Sequence, residues 1–194
     1  GYTDDVAAAI DEIYGMLEGG AVTLDATGAL ISHGDEYVFF RTDDSWTALG
    51  AYYAAEVFAQ AAGIELMGLD QYTVDRIYPY RGHLAYEEKS QIQSKDGDAV
   101  FYYIGINGKN WETLVQRKDH GEYSTLENPT IARSRQGMDV YVGGRYSHAI
   151  LEGDANNGQT LLIVGDDSAR FFAPWLTPYY ERVYLLDTAW YQGG

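Results

Sequence analysis

Apolar residues recur at helical spacing in two segments of the chain. The first runs from Asp4 to Glu18 and is followed by Gly19-Gly20, and the second runs from Thr47 to Ala62 and is followed by Gly63. Apolar side chains three and four residues apart share one face of a helix, and glycine is common just beyond a helix end. The pattern therefore predicts an α-helix in each segment.

Short continuous apolar runs predict buried β-strands. They lie at residues 21–24, 36–40, 100–104, 160–164 and 182–186. Ser168 to Tyr180, between the last two runs, is predicted to be helical despite Pro174. A strand, a helix and a strand in succession form a βαβ unit, which indicates a parallel sheet. The stretch from Leu66 to Arg145 contains a turn signal at Asn107-Gly108 and predicts an antiparallel insertion.

Length and composition fit one folded unit. The chain has 194 residues, of which 46% are hydrophobic, and a chain of this size holds one sizeable core. Together with the predicted elements, this indicates a single α/β domain over residues 1–194. The domain is expected to have a parallel sheet flanked by helices, with the antiparallel β insertion in its middle.

The charge balance excludes several partners. Asp and Glu outnumber Lys and Arg by 29 to 13, which gives a net charge of -16. Such a chain repels phosphate backbones and anionic lipids, so nucleic acid and membrane surfaces are not expected partners. The absence of cysteine excludes disulfides and a cysteine nucleophile. A membrane span is not predicted, because no apolar run reaches about 18 residues. A signal peptide is not predicted either, because the amino terminus has no basic region followed by an apolar one.

Polar residues cluster where two predicted strands end. Asp43 and Asp44 follow the run at residues 36–40, and Asp166, Asp167 and Ser168 follow the run at residues 160–164. Catalytic groups gather at the carboxyl ends of strands in open α/β sheets, but aspartates at such places also cap helices. A third interpretation is a Ca²⁺ or Mg²⁺ site, because the four aspartates supply hard oxygen ligands.

Four segments resemble one protein family. Residues 41–54, RTDDSWTALGAYYA, resemble the DHHW family signature Arg-Thr-Asp-His-His-Trp-Thr followed by Leu-Gly-Ala-Tyr-Tyr-Ala. The segments YRGHL at residues 80–84, YVGGR at residues 141–145 and residues 164–176 resemble later family motifs in the same order. The resemblance implies an SGNH hydrolase-like fold, similar to alginate O-acetyltransferase-type proteins. It also implies an exported, extracellular or cell-surface bacterial protein that acts on polysaccharide.

The resemblance covers roughly residues 36–191 and assigns a role to each matched position. The orienting aspartate falls on Asp43, the catalytic histidine on Ser45 and the nucleophilic serine on Asp167. An oxyanion-hole glycine is kept as Gly82, whereas the companion asparagine becomes Arg145. The family's usual amino-terminal part has no counterpart, so a trimmed or processed chain is expected. Loss of both nucleophile and base implies a catalytically silent domain without a cofactor.

Two functional hypotheses remain open. In the first, the silent domain binds a glycan or a cell-surface protein partner through the old cleft, with ligand contacts from Trp46, Tyr80, Arg145 and Trp175; the sequence favours a core position for the two tryptophans and leaves the choice even for Tyr80 and Arg145. In the second, an active acyl esterase or acetyltransferase uses Ser168 as nucleophile and His83 as base. The remaining histidines, His33, His120 and His148, are expected at the surface or in loops. The paired change at Asp167 and Arg145 predicts an ion pair between them.

Overall fold

The computed structural model describes residues 2–17, 19–86, 97–105, 115–119, 122–126, 130–133, 135–153 and 155–191. Its α-helices are α1 (Tyr2–Met16), α2 (Ala26–Ser32), α3 (Ala48–Ala62) and α4 (Ala169–Leu176). Its strands are β1 (Tyr72–Tyr80), β2 (Asp98–Gly105), β3 (Val115–Asp119), β4 (Glu122–Leu126), β5 (His148–Glu152), β6 (Thr160–Gly165) and β7 (Arg182–Asp187). Short 3-10 turns follow β1 at His83–Tyr86 and precede β5 at Gly137–Val140. No helix in these ranges is long and apolar enough to cross a membrane.

The strands form two sheets in a mixed α/β arrangement. β1 and β2 pair antiparallel as a two-stranded sheet, and the other strands form a five-stranded sheet in the order β4-β3-β5-β7-β6. Only β6 and β7 are parallel in this second sheet. The predicted βαβ unit and antiparallel middle are thus found, but the prediction of a parallel sheet is wrong for the other pairs. Parallel pairing needs a long crossover, which α4 supplies between β6 and β7, whereas two residues separate β3 from β4.

Two of the predicted strands do not form. Residues 21–24 lie in the irregular segment before α2, and residues 36–40 contain a single isolated bridge from Phe39 to Trp46. The segment from Val38 to Thr47 closes on itself: the Thr47 N–H donates to the Val38 carbonyl at 2.9 Å, and the Phe40 N–H donates to the Ser45 carbonyl at 3.2 Å. These backbone groups are therefore satisfied locally and do not pair with another strand.

Helix α3 follows this loop and has clear boundaries. The Thr47 side chain caps its first turn by accepting the Gly50 N–H at 3.3 Å, and Gly63 ends it with a left-handed φ of 70°. One face is fully buried through small residues such as Ala51 and Ala55, which lets α4 approach closely. The predicted helix is confirmed. Thr47 also donates its hydroxyl to the Tyr37 carbonyl at 2.6 Å, so the helix start is tied to the beginning of the preceding loop.

Helix α4 is shorter than predicted and carries an aromatic core contact. It ends at Leu176 and not near Tyr180, and Thr177 bonds back to the Pro174 carbonyl through its N–H and its hydroxyl. Trp175 is 4% exposed, packs edge-on against Tyr52, and donates its indole N–H to the Ala48 carbonyl at 3.2 Å. Its ring therefore lies in the core, which is the interpretation that the sequence favours over a ligand contact.

Candidate active site

A cleft of about 770 Å³ lies where the loop before α3, the end of β1 and the start of α4 meet. Most residues that the resemblance singled out line this cleft, namely Asp43, Ser45, Tyr80, His83, Arg145, Asp167 and Ser168. Gly82 sits beside it, between two lining residues, while Trp46 and Trp175 are not part of its wall. The four sequence motifs therefore meet in one cleft, although positions 41 and 168 are 127 residues apart along the chain.

The loop that carries Asp43 is anchored from below by Asp98, which is completely buried. Asp98 accepts hydrogen bonds from the Thr42 hydroxyl at 2.6 Å, the Thr42 N–H at 2.7 Å and the Tyr37 hydroxyl at 2.7 Å. Arg41 adds its backbone N–H and its Nε. Burial raises the pKa of Asp98, but these donors outweigh it and hold the pKa below its usual value. A buried, ionised carboxylate thus fixes the start of the loop that carries Asp43.

Asp43 has a lowered pKa and contacts one histidine, His83. Its carboxylate accepts the Tyr80 hydroxyl at 3.0 Å and the Ser45 N–H at 3.2 Å, and it lies 3.4 Å from Nδ1 of His83. Burial raises the pKa of Asp43, but the hydrogen bonds from Tyr80 and Ser45 outweigh it, so the pKa lies below its usual value. The position that orients a histidine in the family therefore contacts a histidine here, but one from a different segment.

Gly82 is required by close packing. A Cβ at this position would collide with the Thr42 carbonyl and the Asp43 side chain. Its N–H, which the resemblance assigns to an oxyanion hole, donates to the Thr42 hydroxyl at 2.9 Å. That donor is already used inside the protein, and the close backbone approach by itself accounts for a glycine at this position.

Asp167 is held between two arginines. Its carboxylate lies 2.9 Å from Nη2 of Arg170 and 3.6 Å from Nε of Arg145, so the predicted contact with Arg145 is present. Arg145, however, makes its shorter contact with Asp187 at 2.7 Å. Oδ1 of Asp167 is buried without a hydrogen bond, and burial raises the pKa of Asp167 despite both arginines. A carboxylate in this place cannot act as a serine does.

Sequence reasoning missed Arg170 and Asp187. Arg170 lies three residues after Asp167 at the start of α4, a spacing that brings side chains together on a helix, and its other partner is Asp139 at 3.1 Å. This spacing was the available signal. Asp187 lies at the end of β7, next to the end of β6 in the parallel pair, so its position follows only from the sheet register.

The side-chain partner of Ser168 in the cleft is another serine and not a histidine. The Ser168 hydroxyl contacts the Ser45 hydroxyl at 3.4 Å. Within the part of the chain that the structure describes, no histidine nitrogen lies within hydrogen-bond distance of the Ser168 hydroxyl, and His83 contacts Asp43 and Asp44 instead. The pair of Ser168 and His83 is therefore not assembled.

One group of side chains could hold a metal ion. Asp43, Asp44 and His83 each offer a ligand atom, and these atoms lie within 4.8 Å of one another. Asp166 and Asp167, which the sequence placed in the same hypothetical site, are not in this group. The group includes an imidazole, which suits transition metals better than Ca²⁺.

A second cavity of about 510 Å³ adjoins the cleft and is mainly apolar. Trp46 lines this cavity, stacks near Phe172 and donates its indole N–H to the Ser168 carbonyl at 2.9 Å. Of the other histidines, His33 contacts Glu36 at 2.8 Å and His148 stacks near Tyr184, while His120 lies outside the described residues. Neither His33 nor His148 lines the cleft.

Comparisons with known proteins agree with the convergence of the motifs. The profile of the DHHW protein family matches residues 9–186. A solved DHHW family protein from Eubacterium siraeum is similar with a TM-score of 0.70 and 24% identity, over 90% of this chain and 59% of that one. PatB1 from Bacillus cereus, solved with a sulfonyl adduct, is similar with a TM-score of 0.72 and 16% identity, over 97% of this chain and 66% of that one.

These similarities differ in what they establish. At such identities the two solved structures show a shared fold, and the chain spans less than two thirds of the length of either. No curated protein matches the chain significantly in sequence. The family profile, in contrast, covers most of the chain and includes all residues of the cleft. The chain therefore belongs to the DHHW protein family.

Proposed function

We propose that this chain is a catalytically silent DHHW domain of an exported bacterial protein, and that its cleft binds a cell-surface glycan. The observation that carries the proposal is the state of Asp167, which occupies the assigned serine position and is paired with Arg170 and Arg145. Ser45 occupies the assigned histidine position, and its hydroxyl lies 3.4 Å from the hydroxyl of Ser168. Ester hydrolysis by a serine needs a base within reach of the hydroxyl, and neither assigned position supplies one.

The cleft has the dimensions and chemistry of a binding site for a polyhydroxyl ligand. Its volume of about 770 Å³ lies within the range of about 300–1,000 Å³ that is common for ligand pockets. Carboxylates and guanidinium groups line it, and both hydrogen-bond strongly to sugar hydroxyls. Tyr80 contributes an aromatic ring to the wall.

The charges in the cleft favour a neutral glycan over an acidic one. Arg145 is the residue that the sequence assigned to a sugar carboxylate, but its guanidinium is already engaged by Asp187 and Asp167. Five aspartates line the cleft against three arginines, namely Asp43, Asp44, Asp139, Asp166 and Asp167 against Arg81, Arg145 and Arg170. An anionic sugar would therefore enter a site with excess negative charge.

Catalytic silence is tested with a chromogenic acetyl ester. The parent protein is expected to show only the rate of the buffer blank. The variants to compare are Ser45→His, which offers a base to Ser168, and Ser45→His with Asp167→Ser, which restores both assigned residues. Arg145 is kept in both, because its removal would leave Asp187 buried without its partner. Turnover by the parent that disappears in Ser168→Ala would overturn the proposal.

Glycan binding is tested by calorimetric titration with neutral and uronate oligosaccharides. Neutral oligosaccharides are expected to bind, and Tyr80→Ala is expected to weaken binding by about tenfold, which corresponds to about 1.4 kcal/mol. Tyr78→Ala is the matched control, because Tyr78 lies on the same strand but is 55% exposed outside the cleft. Tyr80→Phe separates the ring from the hydroxyl that contacts Asp43. Equal losses in Tyr78→Ala and Tyr80→Ala would place the glycan elsewhere.

A second candidate function is an active acyl esterase, favoured by one contact. His83 lies 3.4 Å from Asp43, so an aspartate and a histidine are paired in the cleft even though the histidine comes from a new segment. PatB1 carries a sulfonyl adduct, and a sulfonyl fluoride is the matching probe for a reactive hydroxyl here. The silent domain is expected to remain unlabelled by mass spectrometry. A sulfonyl group on Ser168 that is lost in His83→Gln would favour the esterase.

A further inference from the structure

Trp190 is an exposed aromatic residue just beyond the end of β7. It is 54% exposed, whereas Trp175 is 4% exposed and Trp46 is half-buried, so it is the most exposed tryptophan in the described part of the chain. A single exposed ring is ordinary on a protein surface. What distinguishes Trp190 is its surroundings, because the ring contacts a residue of the cleft.

The ring of Trp190 packs against Arg145, which lines the cleft. The guanidinium carbon of Arg145 lies 5.2 Å from the centre of the ring, which is within the range of a cation–π contact. Asp187 holds the same guanidinium by accepting its Nε–H at 2.7 Å. Because the cation covers one face of the ring and the residue is more than half exposed, the opposite face is open to solvent beside the cleft.

The turn that carries Trp190 is anchored by the same aspartate. Asp187 is 4% exposed, and its carboxylate accepts the Ala189 N–H at 2.9 Å. Its carbonyl accepts the N–H groups of Trp190 at 3.2 Å and Tyr191 at 2.8 Å. Asp187 therefore holds both the backbone of Trp190 and the guanidinium against which the ring packs. A ring that is already held in place loses little conformational entropy when a ligand binds to it.

The open face of the ring lies next to charged groups, and this combination suits a sugar. Carboxylates of Asp187 and Asp167 lie 2.7 Å and 3.6 Å from Nε of Arg145. A pyranose carries C–H groups on one face and hydroxyls on its rim. The negative face of an aromatic ring attracts the C–H groups, and carboxylates accept hydrogen bonds from the hydroxyls. A protein hot spot fits less well, because charged residues are depleted at the centre of protein interfaces.

We propose that Trp190 forms a second sugar position, on which a neutral glycan stacks the pyranose that follows the part held in the cleft. This inference rests on the proposed glycan binding and adds a dependence on the length of the ligand. A short oligosaccharide is bound by the cleft alone, and a longer one also reaches Trp190. Tyr80 serves a different part of the ligand, because its hydroxyl donates to Asp43 while Trp190 packs on Arg145.

The test is calorimetric titration with two neutral series, oligomers of glucose and of N-acetylglucosamine, from the monosaccharide to the hexasaccharide. The affinity of the parent is expected to rise by about fivefold at the length that reaches Trp190. Trp190→Ala is expected to lose this gain, and Trp190→Phe to keep most of it, because phenylalanine retains an aromatic face. Tyr78→Ala is the matched control and should keep the full gain, because Tyr78 is 55% exposed and lies outside the cleft wall. Circular dichroism confirms that each variant folds.

A second measurement reports the contact with the ring directly. The indole N–H signal of Trp190 in NMR spectra, identified by its loss in Trp190→Phe, is expected to shift with the hexasaccharide and not with the monosaccharide. An equal gain with length in the parent and Trp190→Ala would overturn this inference and leave the proposed glycan site standing. So would an equal loss by Trp190→Ala at every length, because the ring would then act only by holding Arg145. No binding by any member of either series would overturn the proposed function and this inference together.

Discussion

Asp98 and Asp167 are two carboxylates near the cleft that are buried in opposite ways. Asp98 is surrounded by donors from Tyr37, Arg41 and Thr42, and its pKa is lowered. Asp167 faces two arginines, yet one of its oxygens is buried without a hydrogen bond and its pKa is raised. A nearby opposite charge alone therefore does not stabilise the ionised form of a buried carboxylate, whereas a complete set of hydrogen bonds does.

The two environments also differ in how the partners are used. The donors around Asp98 hold the loop that carries Asp43, which is a structural task. Asp167 has partners that are shared, because Arg145 also contacts Asp187 and Arg170 also contacts Asp139. A buried carboxylate oxygen without a donor costs free energy, so Asp167 is the less stable of the two environments.

The largest expected effect comes from Asp98→Ala. The change leaves the Thr42 hydroxyl, the Thr42 N–H and the Tyr37 hydroxyl without their buried acceptor. Each unpaired buried donor costs about 1–3 kcal/mol, so the free energy of unfolding is expected to fall by about 3–5 kcal/mol. Urea denaturation measures the loss. Asp35→Ala is the control, because Asp35 is exposed and should change stability by no more than about 0.5 kcal/mol. A loss below about 1 kcal/mol at Asp98 would mean that its bonds do not hold the loop.

Local elements could be predicted from the sequence because their signals are local. Helix α3 has a threonine cap, a small apolar face and a terminal glycine, and it forms where predicted. The β6, α4 and β7 unit is likewise found, with a parallel pair. Residues 36–40 have the composition of a strand, but their backbone hydrogen bonds are made within the loop that ends at Thr47. Composition does not indicate which partners the backbone groups will have.

The sequence predicted which residues line the site, but not which side chains contact one another there. The motifs placed Asp43, Tyr80, Arg145 and Asp167 in one cleft. The anchoring role of Asp98 depends on a contact with Thr42 across 56 residues, and no motif marks that contact. The partner of Arg145 was assigned by paired substitution to Asp167, whereas the sheet register brings Asp187 closer.

An intermediate effect is expected from Arg170→Met. The Arg170 side chain is 7% exposed, and its loss leaves Asp167 with the longer contact to Arg145. The free energy of unfolding should fall by about 1–3 kcal/mol. Adding Asp167→Leu should return the double variant to within about 1 kcal/mol of the parent, because replacing a whole buried ion pair costs little.

The control for this cycle is Arg182→Met. Arg182 contacts Glu152 at 3.6 Å across an exposed pair, so its loss should cost no more than about 1 kcal/mol. Both variants are measured by urea denaturation at the same pH. If the double variant is no more stable than Arg170→Met alone, Asp167 does not impose the burial cost described above, and the contrast with Asp98 is lost.

The smallest effect, and the sharpest comparison, is the pH dependence of Asp98→Asn and Asp167→Asn. The folded pKa of Asp98 lies below the ordinary value of 3.8, so its contribution to stability is present above that value and is lost as the pH falls through the folded pKa. The folded pKa of Asp167 lies above 3.8, so its contribution is present below that value and is lost as the pH rises through the folded pKa.

The free energy of unfolding of the parent minus that of Asp98→Asn should therefore increase with pH in the acid range, while the same difference for Asp167→Asn should decrease. At neutral pH Asp167→Asn should lie within about 1 kcal/mol of the parent. Carbon-13 NMR titration of the parent carboxyls gives the two pKa values without any variant, and two slopes of the same sign, or an Asp167 that titrates below Asp98, would show that both carboxylates are held in the same way.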